Sequence, residues 1–306
     1  MPSHFLVIVA GPTAVGKTPI AIQLAKHLGT EIINADSRQV YHEMKIGTAM
    51  PALSQQAEIK HHLIGHRSIH TPYNASLYEQ EAIGIIHELF RRYEIIVMSG
   101  GSGMYIDAVC HGIDDIPTVD PAVRARLHRE FLSEGLKAIQ VRLLKSDPEY
   151  YRKVDLNNPK RLLKALEITE MTGKPYSSYL TGKAKQREFG IIRVGLDLPR
   201  DELHNRINRR VDSMMTEGLL DEVRGLYPYR QLNALNTVGY KEIFDYLDNT
   251  CSLDETVELI KGHTRQYARR QLTWFRKDRQ TNWFSPNDID AMLNLTFRKI
   301  KQDESA

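Results

Sequence analysis

Cysteine is nearly absent from this chain of 306 residues: there are two, Cys110 and Cys251, far apart in sequence. A pair so separated cannot by itself form a multi-cysteine zinc site, and so little cysteine points to the reducing cytoplasm rather than to a disulfide-stapled exterior. No apolar run approaches the ~20 residues that a membrane-crossing helix needs. The first apolar run is too short for a secretory signal. Internal repeats and low-complexity tracts are missing as well. Charge is nearly balanced at a net +3, so a nucleic-acid partner must be sought in how the charge is distributed. What remains is 42% hydrophobic and 26% charged, ordinary for a globular protein and long enough for one large domain or two.

Against that background one stretch has a specific chemistry. Gly11, Pro12, Thr13, Ala14, Val15, Gly16, Lys17 and Thr18 fit G-x-x-x-x-G-K-[ST]. Glycines let the backbone curl so that successive N–H groups form an anion nest, and the following helix adds its positive end. Lys17 supplies a mobile charge for a terminal phosphate, and Thr18 a hydroxyl for Mg²⁺. Residues 5–10 before the loop are an apolar run of strand length; Ile20, Leu24 and Leu28 after it form a helical stripe that stops at Gly29. The protein therefore handles a phosphorylated compound.

Strand and helix signals then alternate, which argues a parallel α/β sheet. Residues 31–35 and 95–98 are further strands. A loop-rich stretch with His61, His62 and His66 lies between them; without a carboxylate at ligand spacing, these histidines are read as structural or surface groups. Ser76 and Glu79 read as a capping box, with Ile83, Ile86 and Phe90 as the buried stripe of its helix. From about residue 113 to 190 the strand signal disappears. Asp120-Pro121, Asp147-Pro148 and Asn158-Pro159 each pair an N-cap residue with proline at the first helical position, so a small helical insertion is expected. A strand at 191–196 returns to the sheet. Leu203, Ile207, Val211 and Met214 then stripe a long helix, and two later helices are expected at 253–261 and 263–277.

Ligands of a parallel sheet sit beyond the carboxyl ends of its strands. Three such ends are in view: the phosphate loop, Asp36, and residues 99–105. Asp36 is the one carboxylate among them, a candidate base or Mg²⁺ partner; the competing reading is a turn aspartate before Ser37. The 95–98 strand runs into Ser99-Gly100-Gly101 with no acid, although Asp197 after the 191–196 strand is a possible substitute. Arg206 and Arg210, four apart, share a helix face and suit a diphosphate clamp. Residues 261–279 carry seven Lys/Arg against one acid, with Tyr267, Trp274 and Phe275 interleaved. The clustered arginines favour RNA, the aromatics a core. On these residues alone, a phosphate-loop kinase with Asp36 as base and an RNA-binding module with a regulatory nucleotide site both remain open.

The chain resembles the tRNA dimethylallyltransferase (tRNA isopentenyltransferase) family, bacterial type. The resemblance is carried, in order and over nearly the whole length, by residues 11–18, Asp-Ser-Arg-Gln-Val-Tyr (36–41), Gly-Gly-Ser-Gly-Met-Tyr (100–105), Asn-Pro-Lys-Arg-Leu (158–162), Thr-Val-Gly-Tyr-Lys-Glu (237–242) and Arg-Gln-Tyr-Ala-Arg-Arg-Gln-Leu-Thr-Trp-Phe-Arg (265–276). It implies transfer of a dimethylallyl group from dimethylallyl diphosphate to N6 of adenosine 37, beside the anticodon of tRNAs that read codons beginning with U. It implies an α/β fold, a P-loop NTPase-like parallel sheet core flanked by helices, with an α-helical insertion domain. The core would be residues 1–112 and 190–306, the insertion 113–189, contacting tRNA. Catalysis would fall to Asp36, Lys17, Ser102 and Arg210. The diphosphate would be held by residues 11–18 with Arg206 and Arg210, and the cofactor Mg²⁺ by Thr18. The tRNA would lie along Asp36, Ser37, Arg38, Gln39, Ser102, Arg124, Lys160, Arg161, Leu162, Leu163, Lys164, Asn236, Thr237, Val238, Gly239, Tyr240 and Lys241. A cytoplasmic monomer acting on the tRNA anticodon stem-loop, with no membrane, is the expectation. This chain departs from the family pattern at Ser102, usually threonine, and at Met50, usually lysine, and lacks the C-terminal zinc finger of eukaryotic members. Prenyl transfer to free AMP or ADP, as in related cytokinin-forming enzymes, is the alternative within that chemistry.

Overall fold

The computed structural model describes residues 3–304. The chain divides into two compact units, one of residues 112–185 and one of the residues before and after it. The larger unit opens with β1 (Phe5–Ala10), the phosphate loop and α1 (Lys17–His27). It continues through β2 (Ile32–Asn34), α2 (Leu53–Glu58), β3 (His61–His62), α3 (Ala75–Leu89), β4 (Ile95–Gly100) and α4 (Gly103–His111). The smaller unit contributes α5 (Pro121–Ser146), α6 (Pro148–Tyr151) and α7 (Pro159–Thr172). The larger unit then resumes with β5 (Gly190–Leu196), α8 (Arg200–Thr216), α9 (Leu219–Leu226), α10 (Tyr240–Leu247), α11 (Leu253–Phe275), β6 (Asn282–Phe284) and α12 (Ile289–Glu304).

Six strands form one sheet in the order β3-β2-β4-β1-β5-β6, every pairing parallel. β1 is central and wholly apolar because both of its faces are covered. Phe5, Val7 and Val9 enter one core with Ile20 and Leu24 of α1 and Leu203 and Ile207 of α8. Leu6, Ile8 and Ala10 enter the other, with Ile86 of α3 and Ile106 of α4. The chain leaves β1 toward β2 on one side, and later crosses from β4 to β5 on the other. The crevice at that reversal, outside the carboxyl ends, is where such sheets take ligands.

Three local expectations are corrected. The cap of α3 is Asn74, whose side chain accepts from the Ser76 and Leu77 amides at 3.0 Å, while Glu79 is buried in an ion pair with Arg187 at 2.7 Å. His61 and His62 pair in parallel with Ile32 and Ile33 as a two-residue edge strand, and His62 Nε2 meets Glu31 at 2.5 Å. The helices expected at 253–261 and 263–277 are one, α11; Gly262 does not interrupt it.

In the smaller unit each Asx-Pro pair starts a helix. The side chains of Asp120, Asp147 and Asn158 accept from the Ala122, Tyr150 and Arg161 amides. Asp147 is wholly buried and also accepts from the Ser177 amide and hydroxyl, both at 2.7 Å. Gly135 (φ 78°) kinks α5, allowing Leu127, Ile139 and Leu143 to close on Leu162, Leu166 and Ile168 of α7.

Candidate active site

The three strand exits converge on a cavity of about 840 Å³. Gly16 ends the phosphate loop at φ 106°, a left-handed conformation that a side chain would strain, and serves as N-cap of α1. Lys17 and Thr18 therefore enter the cavity from the first turn of α1. Lys17 Nζ donates to the Pro12 carbonyl at 2.7 Å. Desolvation pulls its pKa down to about 7; the Asp36 carboxylate opposes the shift and the Arg210 charge adds to it.

Asp36 lines the cavity just beyond β2. The turn reading is realised: Oδ1 accepts from the Arg38 amide at 2.9 Å and the Gln39 amide at 3.4 Å, an Asx turn that holds the carboxylate on the cavity wall. Ser102 stands behind this turn. Its Oγ accepts from the Ser37 amide at 2.8 Å and lies 3.1 Å from Ser37 Oγ, so its reach to the site runs through Ser37.

Arg206 and Arg210 reach the same cavity from one face of α8. Arg206 is braced by Glu202 at 2.8 Å and the Val15 carbonyl at 3.4 Å. Arg210 points to the Thr48 carbonyl at 3.4 Å; burial lowers its pKa, and Asp36 acts against that. Four guanidiniums (Arg38, Arg206, Arg209 and Arg210) and the Lys17 ammonium thus line the cavity against two carboxylates, Asp36 and Glu202. That arrangement lacks anionic charge, and a bound diphosphate would supply it.

Asp197 is not part of this arrangement. Its two oxygens accept from Arg276 at 2.5 Å and the Leu198 amide at 2.9 Å, which removes it as the acid substituting at β4. Among the described residues no three His, Cys, Asp or Glu side chains gather into a metal cluster.

The other expected contacts divide into exposed and buried. Arg38 donates to the carbonyls of Asn233 and Ala234, both at 3.1 Å, and so fixes the turn before Asn236–Lys241. Thr237, Val238 and Gly239 line the cavity; Asn236 and Lys241 are exposed. Tyr240 is buried, its hydroxyl donating to Glu222 at 2.7 Å, and cannot meet RNA with its ring. In the smaller unit Lys160 and Arg161 are exposed, Arg124 pairs with Glu167 at 3.2 Å, and burial lowers the pKa of Lys164. Leu162 and Leu163 belong to the core of that unit, so their expected RNA contact fails for the side chains.

The basic segment 261–279 is less free than its composition suggests. Lys261 pairs with Asp212 and Glu258, Arg265 with Asn208, and Arg276 with Asp197. Arg269 and Arg270 are exposed. Phe275 is core, whereas Trp274 is 40% exposed and donates to Asp107 at 2.9 Å. Tyr267 lines the cavity; burial, reinforced by the charge of Asp36, holds its hydroxyl protonated.

Glu222 lies in no motif, and Tyr267 and Gln271 lie in the 265–276 motif with no place in the site assigned to them from sequence. Glu222 accepts from the Lys45, Ile46 and Gly47 amides at 2.8–2.9 Å and shapes the turn before Thr48. Tyr267 and Gln271 line the cavity from α11. Their spacing of four residues, with buried Ala268 and Phe275 on neighbouring positions, is the one hint that this face points inward.

Comparison with known proteins agrees with this architecture. A family model described as IPP transferase matches residues 39–278. The chain is 51% identical to tRNA dimethylallyltransferase 2 of Parabacteroides distasonis, over 96% of this chain and 99% of that protein. It is 47% identical to tRNA dimethylallyltransferase 1 of Bacteroides fragilis, over 98% and 100%. Among solved structures, the tRNA isopentenylpyrophosphate transferase of Bacillus halodurans superposes with a TM-score of 0.73 at 35% identity, covering 99% of this chain and 98% of that one. A eukaryotic dimethylallyltransferase described as acting on tRNA superposes at 0.79 with 27% identity, covering 94% and 75%. On the motifs, the sheet and these similarities together, the chain belongs to the IPP transferase family, with its P-loop NTPase-like fold.

Proposed function

We propose that this protein transfers the dimethylallyl group of dimethylallyl diphosphate to N6 of adenosine 37 in tRNAs reading codons that begin with U, releasing diphosphate. The observation that carries the reading is the juxtaposition of Asp36 with Lys17 and Arg210 in one cavity. The reaction needs both halves. The carbon–oxygen bond of the donor breaks, and Lys17, Arg206 and Arg210 neutralise the charge that develops on the departing diphosphate. The N6–carbon bond forms, and the N6 proton passes to the Asp36 carboxylate. An adenine reaches that point only outside its stack, and the cavity walls from Arg38 to Gly239 suit a flipped base.

Mg²⁺ fits this site through the Thr18 hydroxyl together with diphosphate oxygens and water, the ligand set magnesium commonly keeps on phosphorylated substrates. When bound it adds charge neutralisation on the leaving group. The RNA partner is the anticodon stem-loop, met by Arg269 and Arg270 on the larger unit and by Lys160 and Arg161 on the insertion. The reading has the enzyme act as a monomer in the cytoplasm. Its test is incubation of purified protein with dimethylallyl diphosphate, Mg²⁺ and unmodified tRNA, without ATP, followed by mass spectrometry of the nucleosides. N6-dimethylallyladenosine at position 37 is expected. Unmodified tRNA, or product only from free AMP or ADP, would contradict it.

A further inference from the structure

Gln271 connects two of the strand exits that form the cavity. A glutamine amide has one acceptor oxygen and a donor nitrogen, and here each has a different loop to hold. Oε1 accepts from the Thr13 amide of the phosphate loop at 2.8 Å, and Nε2 donates to the Gly101 carbonyl after β4 at 2.8 Å. The side chain is 5% exposed, the bond to Gly101 is buried and the bond to Thr13 partly so, and an unmade bond there is expensive. The fit leaves no slack: a Cβ at Gly101 would lie 2.4 Å from Nε2 and 3.6 Å from Lys17 Nζ. One turn further along α11, the Trp274 ring closes on Gly103 and its Nε1 holds Asp107, so the helix grips the same segment twice.

The Thr13 amide is the neighbour of Pro12, and the Pro12 carbonyl holds Lys17 Nζ. The order of contacts is therefore Gln271, Thr13, Pro12, Lys17. We propose that Gln271 is a positioning residue for the diphosphate: its amide sets the separation of the phosphate loop from the Gly101 loop and thereby aims Lys17. This rests on the prenyl-transfer reading for the identity of the donor, although the positioning itself is testable with inorganic diphosphate alone. A shift of about 1 Å in a group that orients a reacting centre is worth roughly a hundredfold in rate.

Two substitutions separate the arms of the amide. Gln271→Glu keeps the volume and an acceptor for Thr13, but cannot donate to Gly101 and brings negative charge toward Lys17. Gln271→Met keeps the volume and loses both bonds. The expected result is a fall in kcat/KM for dimethylallyl diphosphate of about ten- to a hundredfold, with the KM for tRNA within about twofold of wild type. Calorimetry without tRNA should show inorganic diphosphate binding weakened by about tenfold or more in both variants. A residue that only supports the fold would lower the melting temperature and affect both substrates alike. Wild-type diphosphate affinity in a folded variant would overturn the proposal. Should Gln271→Met fail to fold, Gln271→Glu decides alone. Diphosphate binding that weakens in the Gln271 variants, together with wild-type protein that leaves tRNA unmodified, would contradict the prenyl-transfer reading and leave this one standing.

Discussion

Ser102 Oγ accepts the Ser37 amide proton at 2.8 Å, one residue beyond Asp36. The hydroxyl therefore braces the turn that presents the Asp36 carboxylate. Ser102→Ala should lower the single-turnover rate by about tenfold, through loss of orientation rather than loss of a reacting group. Ser102→Thr keeps the hydroxyl and should retain most of the rate. Loss of several orders of magnitude in Ser102→Ala would give the hydroxyl a direct role instead.

The lowered pKa of Lys17 makes donor binding depend on pH. With a value of about 7, Lys17 is cationic below neutrality and loses its charge as pH rises. Dimethylallyl diphosphate should therefore bind about ten- to a hundredfold more weakly at pH 9 than at pH 7, one decade per unit at most. Fluorescence or calorimetric titration across that range checks it; a flat profile would mean the ammonium stays charged. Stability has the opposite sense. The folded-state pKa lies below the unfolded value of about 10.4, so folding penalises the charged form. The penalty is complete below pH 7 and fades as pH rises toward 10. Lys17→Met should accordingly raise the melting temperature at pH 7 while abolishing turnover.

RNA affinity should depend on which basic residues are unpaired. Arg269 and Arg270 are exposed, whereas Lys261 is held by Asp212 and Glu258. Replacing Arg269 and Arg270 together by Ala should reduce the slope of log affinity against log salt by about two, one per lost phosphate contact. Lys261→Ala should leave the slope unchanged. The reverse pattern would move the interface toward the middle of α11, around Lys261.

The parts of this architecture legible in the sequence are those set by neighbours along the chain. The apolar run of β1, the loop that follows it and the three Asx-Pro helix starts all depend on a few consecutive residues, and each forms where it was expected. α11 runs through Gly262 because a single helical glycine costs only about 1 kcal/mol against alanine, which packing against α8 and α10 overrides. β3 is two residues long, too short for any alternation to register. Gln271 reaches Thr13, 258 positions away, and Gly101, 170 positions away; no local pattern encodes such contacts. The same holds for Glu222 and the turn of Lys45 to Gly47.

In the proposed reaction Asp36 takes the proton from adenine N6 while its own turn holds it beside Lys17 and Arg210. Asp36→Asn preserves the size and an acceptor oxygen for the Arg38 amide, and asparagine is as good a turn residue as aspartate. Single-turnover kinetics with saturating tRNA and dimethylallyl diphosphate measures the chemical step directly. The rate should fall by about two to four orders of magnitude, the usual contribution of a general base, with affinity for both substrates nearly intact. A rate within a few-fold of wild type would contradict a general-base role and leave Asp36 as a turn residue.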